Sequence, residues 1–364
     1  MSEEKTEKPK SNFSIYIIVF SIIAIVIIAA ALSTVVFNKS LAPKNVSVVN
    51  LTNYGPAPNV QGISAWINSP PLNISDLKGK VVLIDFWTYS CINCIRSIPH
   101  INAWENAYGN NGLVIIGVST PEFQFEHNYT NVYDAVQKFG IKYPVALDNN
   151  YSTWDAYHNE YWPAEYLIDK NGDVRYLSFG EGDYNQTELT IRALLQNAGY
   201  VVQSNLTSVP LGVNFSQIGT PEIYLGYQTA RAPIGNKEGF DAANITNYSF
   251  SGSLQNNTVY FSGLWYSVPD GMIAVNGSKV FLIYDAKNVN IVASGNDSNV
   301  TIKLDGKNLT QSYLGSDDRL VNGKAIATIN QSRLYNIVSA PSYGWHELEI
   351  DANRGFKIYT FTFG

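Results

Sequence analysis

Cysteine is nearly absent. The 364 residues hold only Cys91 and Cys94, with two methionines and four histidines. A zinc site needs four ligands, and His100, His127, His158 and His346 have no ligand spacing to the cysteine pair, so no metal site is expected. One pair suits a cytosolic or an exported protein equally and does not set the compartment. Charge is also scarce. Asp, Glu, Lys and Arg make up 15% of the chain, the net charge is −6 and there is no basic tract, which argues against nucleic acid. Apolar residues make up 45%, and the length suits two ordinary domains.

One stretch lacks charge altogether. From Ser11 to Asn38 there is no Asp, Glu, Lys or Arg. Crossing a bilayer takes about 20 apolar residues, whereas a signal peptide needs a core of roughly 7–15. Residues 11–38 are therefore expected to be a retained transmembrane helix, in preference to a leader cleaved near Ala29–Ala31. Lys5, Lys8 and Lys10 precede the run and lean to a cytoplasmic tail over residues 1–10. From Asn38 onward there are 17 Asn-x-Ser/Thr sequons, which read as a glycosylated, extracytoplasmic surface. The expected location is the cell membrane, single-pass, with residues 39–57 a Pro- and Gly-containing spacer.

The chain is organised around Val81–Pro99. The apolar run Val81–Trp87 reads as a buried central strand. A helical pattern follows from Cys94 to about Asn106, so the C-x-x-C pair lies on the strand-to-helix turn with Cys91 near the helix N-terminus. Unpaired N–H groups and the helix dipole favour an anion there, and a thiolate is the form that attacks a disulfide. Cys94, one turn on, reads as the buried partner that resolves the mixed disulfide. Asp85 is a lone acid in an apolar strand, suited by burial to exchange a proton with Cys94. Pro99 is expected to kink the helix.

The segment D-F-W-x-x-x-C-x-x-C-x-x-x-x-P resembles the thioredoxin active site from Asp85 to Pro99. With STPEFQFEH (119–127), YPVALDNNYSTWDAY (143–157), YWPAEYLID (161–169) and FGEGDY (179–184), residues 58–197 resemble the extracytoplasmic TlpA-like domain of DipZ-type proteins. The resemblance implies an α/β thioredoxin fold opening on a hairpin in 58–80, a reversible Cys91–Cys94 disulfide, no cofactor, and a cis Pro163 that faces the cysteines and shapes a peptide groove. DipZ-type proteins carry a multi-span electron-delivery domain ahead of this one. Here the single apolar run precedes it, which implies a separate membrane electron donor if the protein is a reductase.

Tyr89 and Trp162 are read as exposed aromatics that dock substrate beside the thiol, with Trp87 a weaker candidate. Glu122 follows the strand 113–118 and reaches the site by topology alone; otherwise it reads as a solvated loop acid. Residues 198–221 lose periodicity and are expected to be a linker. From 222 to 364, short runs (258–265, 279–285, 287–293, 299–304, 324–329, 333–338, 345–350 and 356–363) alternate with turn signals, including Asn276-Gly277 and Asp305-Gly306. They read as an all-β, jelly-roll-like sandwich. The corresponding part of DipZ-like proteins resembles a carbohydrate-binding module. Its aromatics Tyr224, Tyr227, Trp265, Tyr266 and Trp345 are either core or sugar platforms.

The expected function is a thiol–disulfide oxidoreductase acting on protein thiols and disulfides, more in the reducing direction. The competing reading is a surface module that binds glycan or protein and carries an inactive α/β domain. Thr88-x-x-Cys91 also echoes a thiol peroxidase, but Ile84 stands where those enzymes place a proline.

Overall fold

Residues 51–202, 205–210 and 212–364 are described by the structure, a computed structural model. The expected tail, anchor and most of the spacer, the sequons at Asn38, Asn45 and Asn50, and three linker positions lie outside the described residues. Among the described residues no helix is long and apolar enough to cross a membrane.

The first domain has six strands: β1 (Ala65–Ile67), β2 (Val81–Trp87), β3 (Leu113–Ser119), β4 (Val145–Leu147), β5 (Ala164–Ile168) and β6 (Val174–Phe179). Four helices accompany them: α1 (Ile92–Tyr108), α2 (Tyr129–Lys138), α3 (Ser152–Ala156) and α4 (Tyr184–Asn197). The sheet order is β1-β4-β3-β2-β5-β6. All seven residues of β2 are buried, because β3 pairs with one edge and β5 with the other. Side chains alternate between faces along a strand. Val81, Leu83 and Trp87 pack on Cys94, Ile98, Ile101 and Trp104 of α1 and on Leu194 and Leu195 of α4. Val82, Ile84 and Phe86 pack on Trp154, Tyr157 and Tyr166. By this alternation Asp85 points to the α1 face.

Two expectations need correction. Helix α1 starts at Ile92, earlier than periodicity suggested, and continues through Pro99 to Tyr108. The hairpin expected over 58–80 is absent. β1 pairs antiparallel with β4, whose outer edge would otherwise leave backbone groups unpaired.

The second domain is all-β. The eight expected runs appear as strands, from Val259–Val268 through Lys357–Phe363, joined by four short ones at Ile223–Tyr224, Ile245–Tyr248, Lys307–Asn308 and Asp318–Val321. Among the described residues they form one twelve-stranded hydrogen-bonded sheet. Its core holds Phe261, Trp265, Met272, Tyr284, Tyr335 and Phe356, none more than 1% exposed. Asp305-Gly306 does turn the chain, with both residues at positive φ, between Ser298–Leu304 and Lys307–Asn308. Asn276-Gly277 does not. It lies inside the strand Gly271–Asp285, where the register with Val259–Val268 shifts, so it forms a bulge. The hairpin turn sits at Pro269-Asp270 instead.

Gly263, at φ +82°, lies opposite this bulge, and a Cβ there would come within 2.1 Å of the Gly277 carbonyl oxygen. Gly263→Ala combines positive-φ strain with a clash against backbone. It is expected to cost roughly 3 kcal/mol, read as a lower midpoint in urea unfolding.

Candidate active site

Strand β2 ends at Trp87, and Thr88-Tyr89-Ser90 carries the chain over the sheet edge to Cys91. Cys91 is the N-cap of α1, with extended backbone, and its Sγ accepts the Cys94 N–H at 3.3 Å. That contact places Cys91 where α1 has unpaired donors. Cys91 is half-buried, while Cys94 is 1% exposed and packed in the core. Both are free thiols here, so the expected disulfide is open in this structure. The Trp162–Pro163 bond is cis, and the Trp162 carbonyl lies 4.0 Å from the Cys91 sulfur.

Behind Cys94 the site is acidic. Asp85 is 1% exposed, and neither carboxyl oxygen has a hydrogen-bond partner. Its cross-strand neighbour is Glu165 of β5, also buried. Burial, and then Glu165, push the Asp85 carboxyl well above the usual carboxylate range. Burial lifts Glu165 to about 7. Burial, followed by the hydrogen bond and charge of Cys91, pushes the Cys94 thiol up, and Asp85 adds to this. A carboxyl held protonated in this range exchanges a proton with a buried thiol more readily than an ordinary surface acid.

In front of Cys91 is a cavity of about 220 Å³, walled by both domains. Cys91, Glu122 and Trp162 line it from the first domain, and Glu222, Tyr224 and Arg231 from the second. Glu122 is therefore a cavity group and not a solvated loop acid. The Tyr224 hydroxyl donates to Glu122 Oε1. Burial, then Glu126, raise the Glu122 carboxyl to about 8. Glu126 is a brace. Its carboxylate accepts the Ser90 hydroxyl at 2.5 Å and the Glu122 and Phe123 N–H groups at 2.6 and 2.9 Å, tying the loop before Cys91 to the loop after β3.

The remaining candidates divide. Trp162 lines the cavity and packs tilted against Trp154, with ring centroids 4.2 Å apart. Tyr89 is not an exposed docking ring. It is buried, packs on Phe125, and donates to the Ser332 carbonyl of the second domain at 3.1 Å. Trp87 is core, 1% exposed, against Gly117. In the second domain Trp265 is core and Tyr224 is a cavity wall, whereas Tyr266 and Trp345 stay exposed. Among the described residues no group of three or more His, Cys, Asp or Glu is placed to hold a metal ion.

Glu165, Glu126, Glu222 and Arg231 escaped the sequence reading. Glu165 had a signal, since it interrupts an apolar strand as Asp85 does. Glu222 and Arg231 had none, because fold closure alone brings them to Cys91.

Residues 55–195 match the Redoxin family, and residues 220–364 match the family described as thioredoxin like C-terminal domain. The DipZ proteins of Mycobacterium bovis and Mycobacterium tuberculosis are 37% identical over 334 residues, which is 90% of this chain and 45% of theirs. The chain thus carries a redoxin domain followed by a thioredoxin like C-terminal domain, and over both it is similar to the DipZ proteins. It spans about half the length of those relatives. Thiol-disulfide oxidoreductase YkuV of Bacillus subtilis is 27% identical over 38% of this chain and 94% of its own. A solution structure of a thioredoxin-like protein in the oxidized form aligns with 39% of this chain and 96% of its own, at 28% identity and a TM-score of 0.37.

A carboxyl whose folded-state affinity for a proton is raised stabilises the fold below the ordinary carboxylate range and loses that contribution as pH rises. Asp85→Asn is therefore expected to be more stable than the parent at pH 8, with the gap closing toward pH 4. Thermal unfolding of the two proteins across that range measures it.

Proposed function

We propose that this chain is a membrane-anchored, extracytoplasmic thiol–disulfide oxidoreductase that reduces protein disulfides through Cys91 and Cys94. The observation that carries the reading is the Cys91 sulfur at the N-cap of α1, open to a cavity, with Cys94 buried beneath it beside the partnerless Asp85. The thiolate is the form of a cysteine that attacks a disulfide. The Cys91 thiolate attacks a client disulfide and displaces one client sulfur. Asp85 passes its own proton on toward its neighbour Glu165 and, as a carboxylate, takes the proton of Cys94, whose sulfur then attacks Cys91 and releases the second client sulfur. Two electrons pass from the dithiol to the client, and the cysteines end as a disulfide. The Trp162–Pro163 edge lies against Cys91, where an extended client segment would dock.

Anchoring rests on the uncharged run 11–38, and an extracytoplasmic location on the sequons that follow it. The reducing direction rests on kinship with the TlpA-like domain of DipZ, and it requires a dithiol donor that restores Cys91 and Cys94. Glycan binding by the second domain would fall to Tyr266 and Trp345, its exposed aromatics among those singled out.

Equilibration of the Cys91–Cys94 pair with glutathione tests the direction. A potential near −250 mV or lower is expected, and a value near −120 mV would make the protein an oxidant of its clients. Cys91→Ser is expected to abolish client reduction, and Cys94→Ser to accumulate a mixed disulfide with the client that is visible on a non-reducing gel. Turnover that survives in Cys91→Ser would remove the redox reading altogether.

A further inference from the structure

We propose that the second domain completes the redox site: Tyr224 is a positioning residue that holds Glu122 in the Cys91 cavity, and Glu122 is the acid that protonates the client sulfur leaving from the first attack. This rests on the redox reading given above and names a proton donor that reading lacks.

Two hydrogen bonds cross the domain boundary at the cavity. Within the C-x-x-C motif, the Asn93 side chain donates to Glu222 Oε1 at 3.3 Å. Glu222 lies two residues before Tyr224, and both line the cavity. The Tyr224 hydroxyl donates to Glu122, which lines the same cavity as Cys91. Tyr224 is itself fixed. It is buried at 8% exposure, its backbone pairs with Thr360, its ring approaches Phe123, and the Arg231 guanidinium lies 4.4 Å over its face. Packing and not solvent thus sets where its hydroxyl points.

A phenol hydroxyl has one hydrogen to give. Donated to Glu122, it leaves the other Glu122 oxygen able to carry a proton. The groups around Glu122 are Glu126 on its own loop, Tyr151 just ahead of α3, Glu222, Tyr224 and Arg231 from the second domain, and Cys91 and Glu160 at the cavity. Carboxylates outnumber the single guanidinium, so this surrounding favours the protonated acid, in line with its upward shift.

The step balances. The Cys91 thiolate forms a bond to one client sulfur while the client S–S bond breaks. The departing sulfur takes the electron pair and the proton of Glu122, which becomes a carboxylate. Such an acid matters most when the leaving thiolate is basic and little when it is a good leaving group.

That difference supplies the test. The reduced full chain is reacted, in single turnover, with an alkyl disulfide peptide and with the aromatic disulfide 5,5′-dithiobis(2-nitrobenzoate). Glu122→Gln is expected to slow the alkyl substrate about 100-fold and the aromatic one less than about threefold. Its alkyl rate should also lose the fall above about pH 8 that the parent shows as Glu122 deprotonates. Tyr224→Phe keeps the ring and removes only the hydroxyl; the same substrate-selective pattern at about tenfold is expected. Equal slowing of both substrates would mean a structural role and overturn the proposal, as would no slowing of either. Failure of the parent to reduce either substrate, with Cys91 confirmed as a thiol, would instead overturn the redox reading itself.

Discussion

The first domain depends on one strand being buried on both faces. β2 has no side that water reaches, so a polar group placed in it meets neither solvent nor a ready partner. Val, Leu, Ile, Phe and Trp meet that condition; Asp85 violates it. An unpaired carboxylate in such a place is costly, and the inexpensive alternative is to keep its proton. The same burial that builds the sheet thus makes Asp85 a proton-holding group. Glu165 meets it across the β2–β5 ladder and reinforces the effect, since two adjacent carboxyls resist being ionised together. Chemistry and stability oppose each other at this position. A neutral side chain would suit the fold better than the acid does.

A second constraint is the seam between the domains. Phe123 and Phe125, on the loop after β3, stack on each other at 5.5 Å and meet Tyr359 of the second domain at 5.0 and 5.1 Å. Tyr89 and Arg96 reach across to main-chain carbonyls at Ser332 and Phe363. Arg96 also pairs with Glu181 at 2.7 Å and donates to Asn93, so the residues flanking the cysteines are bonded outward as well as inward. Rings buried together contribute both area and preferred geometry. This seam lies beside the cysteine pair, so the second domain forms part of the local environment of Cys91.

Much of this was legible in the sequence, and the legible part is local. The run 81–87, the C-x-x-C spacing and the acid at 85 each follow from neighbours in the chain, and so do eight strands of the second domain. What failed was what a sheet decides at a distance. β1 pairs with β4 because an edge needed covering, which no pattern in 58–80 records. Asn276-Gly277 has the composition of a hairpin turn, but the flanking strand continues and converts it to a bulge. Tyr89 reads as an exposed ring until Phe125 and Ser332 close over it. Glu122 reads as a loop acid until Tyr224, 102 residues further on, supplies a donor. Spacing shows which chemistry is available; the folded neighbours decide which groups are wet.

The two acid systems are better understood together. Reducing a disulfide with a dithiol moves two electrons and two protons, and the protons leave from different places. One comes off Cys94, deep in the core, where Asp85 and Glu165 lie behind it on the α1 face of the sheet. The other must reach a client sulfur at the mouth, where Glu122 lies in the cavity beside Cys91. A single carboxyl could not serve both, because the cysteine pair and the end of β2 lie between the two locations. In the proposed reaction the first domain supplies the inner acid from its own strands. The outer acid stands on a loop of the first domain that is held by a tyrosine of the second. A thioredoxin-like domain alone would keep Asp85 and lose the donor to Glu122, which gives the second domain a chemical reason to be packed where it is.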